Sequence, residues 1–373
     1  LISLLAVGIP WARARAQDAT VSTALQLTQR GKLQEAEAAW RQLATAHPDD
    51  VSIQANFGFV LASLGKQDEA ARVYRKALAL RPGQPEIEVN LGLAEFKQGH
   101  FASAASAFAK AEAAGRRDAQ VQVLLGLSYY GQRQYPKAIP YLTEATRDNP
   151  ANLQLRYALA ESCLRSRQTE CALAESRTLL QLNPASAEAH MLIGEAQDGL
   201  QKTADAIKEF TAAATVDPKL PNLHFGLGYL YWKTYDYVHA AEEFHRELEL
   251  DPDNGQSYTY LGDIAYRNND DDGAADNLTR AIRLQPDIRL AHFDLGCVEA
   301  RQGHTQKAIK EFELAIRLDP AQADAYYRLS RIHLSLGQKD KAEAELAKTK
   351  LLHQRADDRL IDKISGATAP DGR

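Results

Sequence analysis

The sequence predicts an all-α chain built from ten repeated helix pairs. Three observations carry that expectation. Alanine recurs at a fixed 34-residue step, glycine marks a second column of the same period, and proline a third. The chain has 373 residues and a formal net charge of −5, with no concentration of Lys and Arg that would track phosphates, so nucleic acid is excluded as a partner class.

Stepping by 34 from Ala36 reaches Ala70, Ala104, Ala138, Ala172, Ala206, Ala240, Ala274, Ala308 and Ala342, alanine at all ten positions. The second column holds Gly58, Gly92, Gly126, Gly194, Gly228, Gly262 and Gly296, with Ala24, Ala160 and Ser330 in its gaps. The third runs through Pro48, Pro82, Pro150, Pro184, Pro218, Pro252, Pro286 and Pro320. A bulky column completes the set: Trp40, Tyr74, Phe108, Leu142, Phe210, Phe244, Leu278, Phe312 and Leu346, with Ser176 as its exception. Small residues let two helix axes approach closely, and the bulky side chains fill the space beside them.

Taken in order, residues 1–16 differ from all that follows. An uncharged apolar run, "LISLLAVGIPW", precedes "ARARAQ", and Ala14-Arg15-Ala16 fits a small-x-small cleavage pattern. The expectation is a truncated signal peptide, with Leu1 standing where a start Met belongs; an uncleaved N-terminal anchor is the rival. Ten units of 34 residues then fill 17–356, starting at 17, 51, 85, 119, 153, 187, 221, 255, 289 and 323. In "LGLAEFKQGHFASAASAFAKAEAAG" (91–115) apolar residues recur at helical spacing on both sides of Gly99. Gly31, Gly65, Gly99, Gly303 and Gly337 permit a left-handed turn where a first helix ends. Proline ends the second helix in eight units by disfavouring helical geometry in the residue before it, the column being broken by Arg116 and Gln354. Residues 357–373 read as the end of a capping helix and a frayed tail.

These columns resemble those of the tetratricopeptide repeat. In the seventh unit His224, Leu227, Gly228, Tyr231, Ala240, Phe244 and Pro252 stand where the signature residues of that family stand. The resemblance spans all ten units and implies a right-handed α-solenoid of antiparallel helix pairs, each stabilised mainly by its neighbours. It also implies a concave groove lined by one face of the first helices. In the early units that face is small and apolar, with Ala55, Phe59, Ala62, Val89, Leu93 and Phe96. From the fourth unit onward it carries Tyr130, Tyr157, Phe225, Tyr229, Trp232, Tyr260, Asp263, Tyr266, Arg267, Phe293, Arg301, Tyr327, Arg328 and Arg331, with Glu161, Glu195 and Asp198 among them. Aromatics and arginines offer large contact areas at low entropic cost, so this stripe is the expected partner-binding surface.

Family members that clamp a chaperone's terminal carboxylate use Lys and Asn on one first helix, Asn on the next, then Lys and Arg. The matching positions here offer Asn56 and Asn90, but Val21, Ala55 or Val89 in place of the first Lys, so that clamp is not expected. Cys163 and Cys171 flank a hairpin turn with seven residues between them, and are expected to form a disulfide in an oxidising compartment. Cys297 is expected as an inert, unpaired thiol. Asn268, Asp270, Asp272 and Gly273 imitate the start of a calcium loop, but Thr279 replaces its closing Glu, so helix capping is the expected role. His190, His224 and His292 share a packing column and are read as planar packing residues, too far apart to share a metal.

No ordered nucleophile–base set, phosphate loop or paired carboxylates point to catalysis. The expectation is a non-enzymatic protein–protein interaction scaffold, periplasmic or secreted, with no cofactor and a protein or peptide segment as partner. Two alternatives remain open in the sequence. One is a carbohydrate-handling scaffold of envelope polysaccharide export, with Tyr229, Trp232 and Tyr266 stacking on sugars while Asp263 and Glu195 accept hydrogen bonds. The other is a cytoplasmic adaptor.

Overall fold

The structure, a computed structural model, describes residues 19–365, with side chains described for 20–355. The N-terminal 1–16 segment and the tail from Gly366 lie outside the described residues. Among those residues every regular element is an α-helix, twenty in all.

The chain divides into two compact units at Lys202 and Thr203. The first contains α1 (Ala19–Gln29), α2 (Leu33–Ala46), α3 (Val51–Ser63), α4 (Gln67–Leu80), α5 (Pro85–Lys97) and α6 (Phe101–Ala113). It continues with α7 (Ala119–Gly131), α8 (Tyr135–Asp148), α9 (Leu153–Arg165), α10 (Thr169–Leu182) and α11 (Ala187–Gly199). The second begins with α12 (Thr203–Val216), α13 (Leu223–Lys233), α14 (Tyr237–Leu250), α15 (Gly255–Arg267) and α16 (Asp271–Leu284). It ends with α17 (Arg289–Arg301), α18 (Thr305–Leu318), α19 (Ala323–Ser335) and α20 (Lys339–Ser365). Within each unit a helix packs on its hairpin mate and on the next helix in the chain, the α-solenoid arrangement that the period predicts.

The columns explain this packing. Nine of the ten repeat alanines are 0% exposed and Ala342 is 6% exposed, so the small face of each second helix is fully covered. The glycine opposite lets the bulky ring in. A Cβ on Gly58 would lie 2.6 Å from Tyr74 Cε1, on Gly92 2.6 Å from Phe108 Cε1, and on Gly228 2.8 Å from Phe244 Cε1. Those separations are shorter than carbon atoms tolerate, so the ring and the missing side chain define each other.

Polar side chains fix where helices start. Asp50 Oδ1 accepts from Ser52 N at 2.8 Å and Ile53 N at 3.1 Å, and Asn254 Oδ1 accepts from Ser257 N at 2.9 Å. Asp270 does the same for α16, accepting from Gly273 N at 2.9 Å, so the calcium-like stretch is a helix cap.

The fourth residue of several repeat units reaches back to the proline carbonyl before it. Gln54 Nε2 donates to Pro48 O at 3.1 Å, while His224 Nε2 and His292 Nε2 lie 2.8 and 3.0 Å from the carbonyls of Pro218 and Pro286. Their other nitrogens face Glu243 at 2.5 Å and Glu311 at 2.7 Å. These histidines, read from the sequence as planar packing groups, are hydrogen-bonded brackets between successive pairs.

Candidate functional site: the faces of the first helices

In the second unit α13 packs beside α15, and α15 beside α17, so their matching positions form one face. Phe225, Tyr229 and Trp232 follow one another along α13 at helical spacing. They converge on Tyr260 of α15, with ring centroids 6.0, 5.8 and 5.0 Å away. Tyr260 also stacks on Phe244 at 5.3 Å and 8°, which ties the surface rings to the core. Burial raises the Tyr260 phenol to about 12, so it stays a neutral donor. Tyr229 stacks on Trp232 at 6.1 Å. Phe225 and Tyr260 therefore act chiefly as packing between neighbouring first helices, and Tyr229 and Trp232 beside them are half-buried.

Asp263 differs from its expected place on the surface. It is 4% exposed, and its Oδ2 accepts from Trp232 Nε1 and from Arg267 Nε, both at 2.6 Å. An isolated carboxylate could not be buried there, but one bonded to a guanidinium and an indole can. Its role is to hold Trp232 and Arg267 in place. The Arg267 guanidinium lies 5.8 Å from the Trp232 ring and 5.5 Å from that of Tyr237.

Further along, Tyr266, Cys297, Arg301, Arg328 and Arg331 line a cavity of about 320 Å³ with Phe312, Ile332 and Ser335. Arg301 lies 3.8 Å over the Tyr266 ring, donates to Tyr266 O at 2.8 Å and pairs with Asp271. Arg289 clamps Asp324 through two bonds of 2.9 and 3.0 Å and covers Phe293, whose ring packs on Phe312 at 5.7 Å. Phe293 is thus a packing residue under an ion pair, and Tyr327 is the outward ring, 44% exposed. Cys297 is buried, and burial pushes its thiol up to about 12, so it is neutral and inert.

The first unit holds its own cleft, of about 610 Å³, lined by Leu127, Tyr130, Leu153, Tyr157, Ala158 and Leu179 among others. Tyr130 donates its hydroxyl to Glu161. Glu195 accepts from Arg165 Nη1 at 2.8 Å. Burial raises the Tyr157 phenol to about 12. In the same unit Cys163 and Cys171 are joined by a disulfide, with Cα atoms 5.8 Å apart, tying α9 to α10.

Sequence reasoning missed Asp294. It lies on α17 with 5% exposure, and its Oδ2 has no hydrogen-bond partner. The available signal was an acid alone in the apolar stretch "AHFDLGCV". Burial first, then the Asp263 carboxylate, pushes its pKa well above the carboxylate range. Among the described residues no group of His, Cys, Asp and Glu is arranged to hold a metal ion, and no helix is long and apolar enough to cross a membrane.

Three family profiles match the chain. Two are described as tetratricopeptide repeat: one matches residues 89–152, 193–255 and 225–287, the other 129–196 and 299–360. The third, described as TPR repeat, matches 60–99. Among solved structures, a tetratricopeptide repeat protein from Parabacteroides merdae is similar with a TM-score of 0.51 at 14% identity, over 66% of this chain and 98% of that one. The TPR protein YrrB, described as having an unusual peptide-binding site, matches 53% of this chain and 98% of its own, at 20% identity and a TM-score of 0.44. MamA matches 44% of this chain and 97% of its own, at 24% identity and a TM-score of 0.39. At these identities the likeness concerns fold alone. No curated protein matches the chain.

Proposed function

Because the chain belongs to the tetratricopeptide repeat family, a family of protein–protein interaction scaffolds, we propose that it is a non-enzymatic scaffold that seats a polypeptide segment on the first-helix face of its second unit. The observation that carries this is the composition of that face. Tyr229 and Trp232 are half-buried, Tyr327 is 44% exposed, and Arg328 and Arg331 are exposed on the same helix as Tyr327. Rings held by buried neighbours offer contact area without an ordering penalty on binding.

A polypeptide fits better than a sugar chain. The sugar reading needs Asp263 and Glu195 as free acceptors, but Asp263 is bonded to Trp232 and Arg267, and Glu195 to Arg165. We place the protein outside the cytoplasm, in the periplasm or secreted. The Cys163–Cys171 disulfide supports this, since such bonds persist in oxidising compartments. So does the apolar run of residues 1–11 followed by the cleavage-like Ala14-Arg15-Ala16.

Affinity capture from native envelope extract tests the proposal, comparing wild type with a Tyr229→Ala/Tyr327→Ala variant whose helicity is confirmed by circular dichroism. The expected result is a protein retained by wild type and lost by the variant. Identical capture by both would overturn the assignment of this face. Reduced Cys163 and Cys171 in protein taken from its native compartment would contradict the location.

A further inference from the structure

We propose that the cavity between α15, α17 and α19 is a carboxylate pocket, which receives an aspartate or glutamate side chain of the bound polypeptide between Arg328 and Arg331. The inference rests on the scaffold reading and adds to it the chemistry of the segment.

Three arginines and no carboxylate line one cavity of about 320 Å³. Asp271 pairs with Arg301, and both Asp324 oxygens are taken by Arg289. Neither Arg328 nor Arg331 makes an ion pair or hydrogen bond among the described residues. The remaining ionisable groups in the lining supply no negative charge at neutral pH. The Cys297 thiol is raised to about 12 by burial, and burial likewise raises the Tyr266 phenol. The cavity therefore carries two uncompensated positive charges. A guanidinium fork matches the two oxygens of a carboxylate in one plane.

Shape narrows the occupant further. Below the arginines the lining is apolar, with Phe312 fully buried and Ile332 and Ala300 beside it. Such a floor suits the methylene stem of an acidic side chain. Arg301 is locked over Tyr266 at 3.8 Å, so one wall of the cavity is rigid before anything binds. The two free arginines sit three residues apart on α19 and so project from one helix face. This set differs from the family's chaperone clamp, whose first Lys is replaced here by Val21, Ala55 or Val89.

The test uses three fluorescein-labelled Gly-Ser peptides with identical flanks and a central Glu-Glu, Gln-Gln or phosphoserine-Glu pair. Fluorescence anisotropy is measured with wild type and with an Arg328→Gln/Arg331→Gln variant checked by circular dichroism. The expected result is at least tenfold tighter binding of the Glu-Glu peptide than of the Gln-Gln peptide, with that preference abolished in the variant. Equal binding of the two peptides to wild type, or an undiminished preference in the variant, would overturn the pocket. Tenfold tighter binding of the phosphoserine peptide than of the Glu-Glu peptide would overturn the carboxylate in favour of a phosphate. If the Tyr229→Ala/Tyr327→Ala variant loses its partner while the peptides show no charge preference, the scaffold reading stands and only the pocket falls. If capture is unchanged but the preference holds, the pocket stands as an acidic-segment site and the aromatic face falls.

Discussion

At Asp294 a carboxyl lies among apolar neighbours on α17 with one oxygen unpartnered, and burial and Asp263 raise its pKa well above the unfolded value of 3.8. The folded protein thus holds a proton that the unfolded chain releases, and stability falls as pH rises from about 4 toward the folded pKa. Asp294→Asn removes that linkage. Urea denaturation should show the variant more stable at pH 7, by about 1–3 kcal/mol, with a flatter pH dependence. His292 pulls the same way. Its ring nitrogens face Glu311 at 2.7 Å and Pro286 O at 3.0 Å, and only the imidazolium donates at both. Burial lowers its pKa, but the Glu311 and Pro286 bonds outweigh burial and leave it raised above 6.5. Its contribution is complete below about pH 6.5 and is lost as pH rises through the folded value. Denaturation at pH 6 and pH 8 should show a loss of stability in wild type that shrinks in His292→Gln.

Among the helix hairpins, ten turns adopt one left-handed geometry with two kinds of residue. Gly31, Gly65, Gly99, Gly303 and Gly337 take it at φ of 73–81°, and Arg133, Arg167, Gln201, Tyr235 and Asn269 take it at 58–66°. The sequence shows only the glycine half, because a left-handed residue with a side chain leaves no compositional mark. A side chain in that region strains the backbone, and Tyr235 is 77% exposed, so little packing offsets the strain. Tyr235→Gly should therefore raise thermal stability by about 0.5–1 kcal/mol, after the extra freedom of glycine in the unfolded chain is counted. The α9–α10 hairpin has the opposite need. Ser176 replaces the bulky residue there, buried with its hydroxyl unpartnered, and the Cys163–Cys171 bond supplies the missing constraint. Reduction should destabilise the chain by about 2–3 kcal/mol in guanidinium denaturation, and a Cys163→Ser/Cys171→Ser variant should be insensitive to reductant.

Across the whole protein, what the sequence revealed follows from its period. Ala36 and its nine counterparts, the glycines facing Tyr74 and Phe244, and the prolines ending each pair repeat because every interface between neighbours repeats. The partner face repeats only as a set of positions, so the period locates Tyr229, Asp263 and Arg331 without saying which is free. Asp263 is buried under Trp232 because of a bond between units of the repeat, and Arg328 and Arg331 are free because Asp271 and Asp324 chose other partners. Such pairings depend on three-dimensional neighbours and leave no trace in spacing. Site-specific photocrosslinking addresses the face itself, with a benzophenone amino acid placed at Tyr229 or Tyr327, or at the exposed control positions Lys310 and Glu313 on α18. In native envelope extract the scaffold account predicts one protein crosslinked from Tyr229 and Tyr327 and absent from the α18 positions. Crosslinks to that protein from Lys310 and Glu313, with none from Tyr229 and Tyr327, would contradict it.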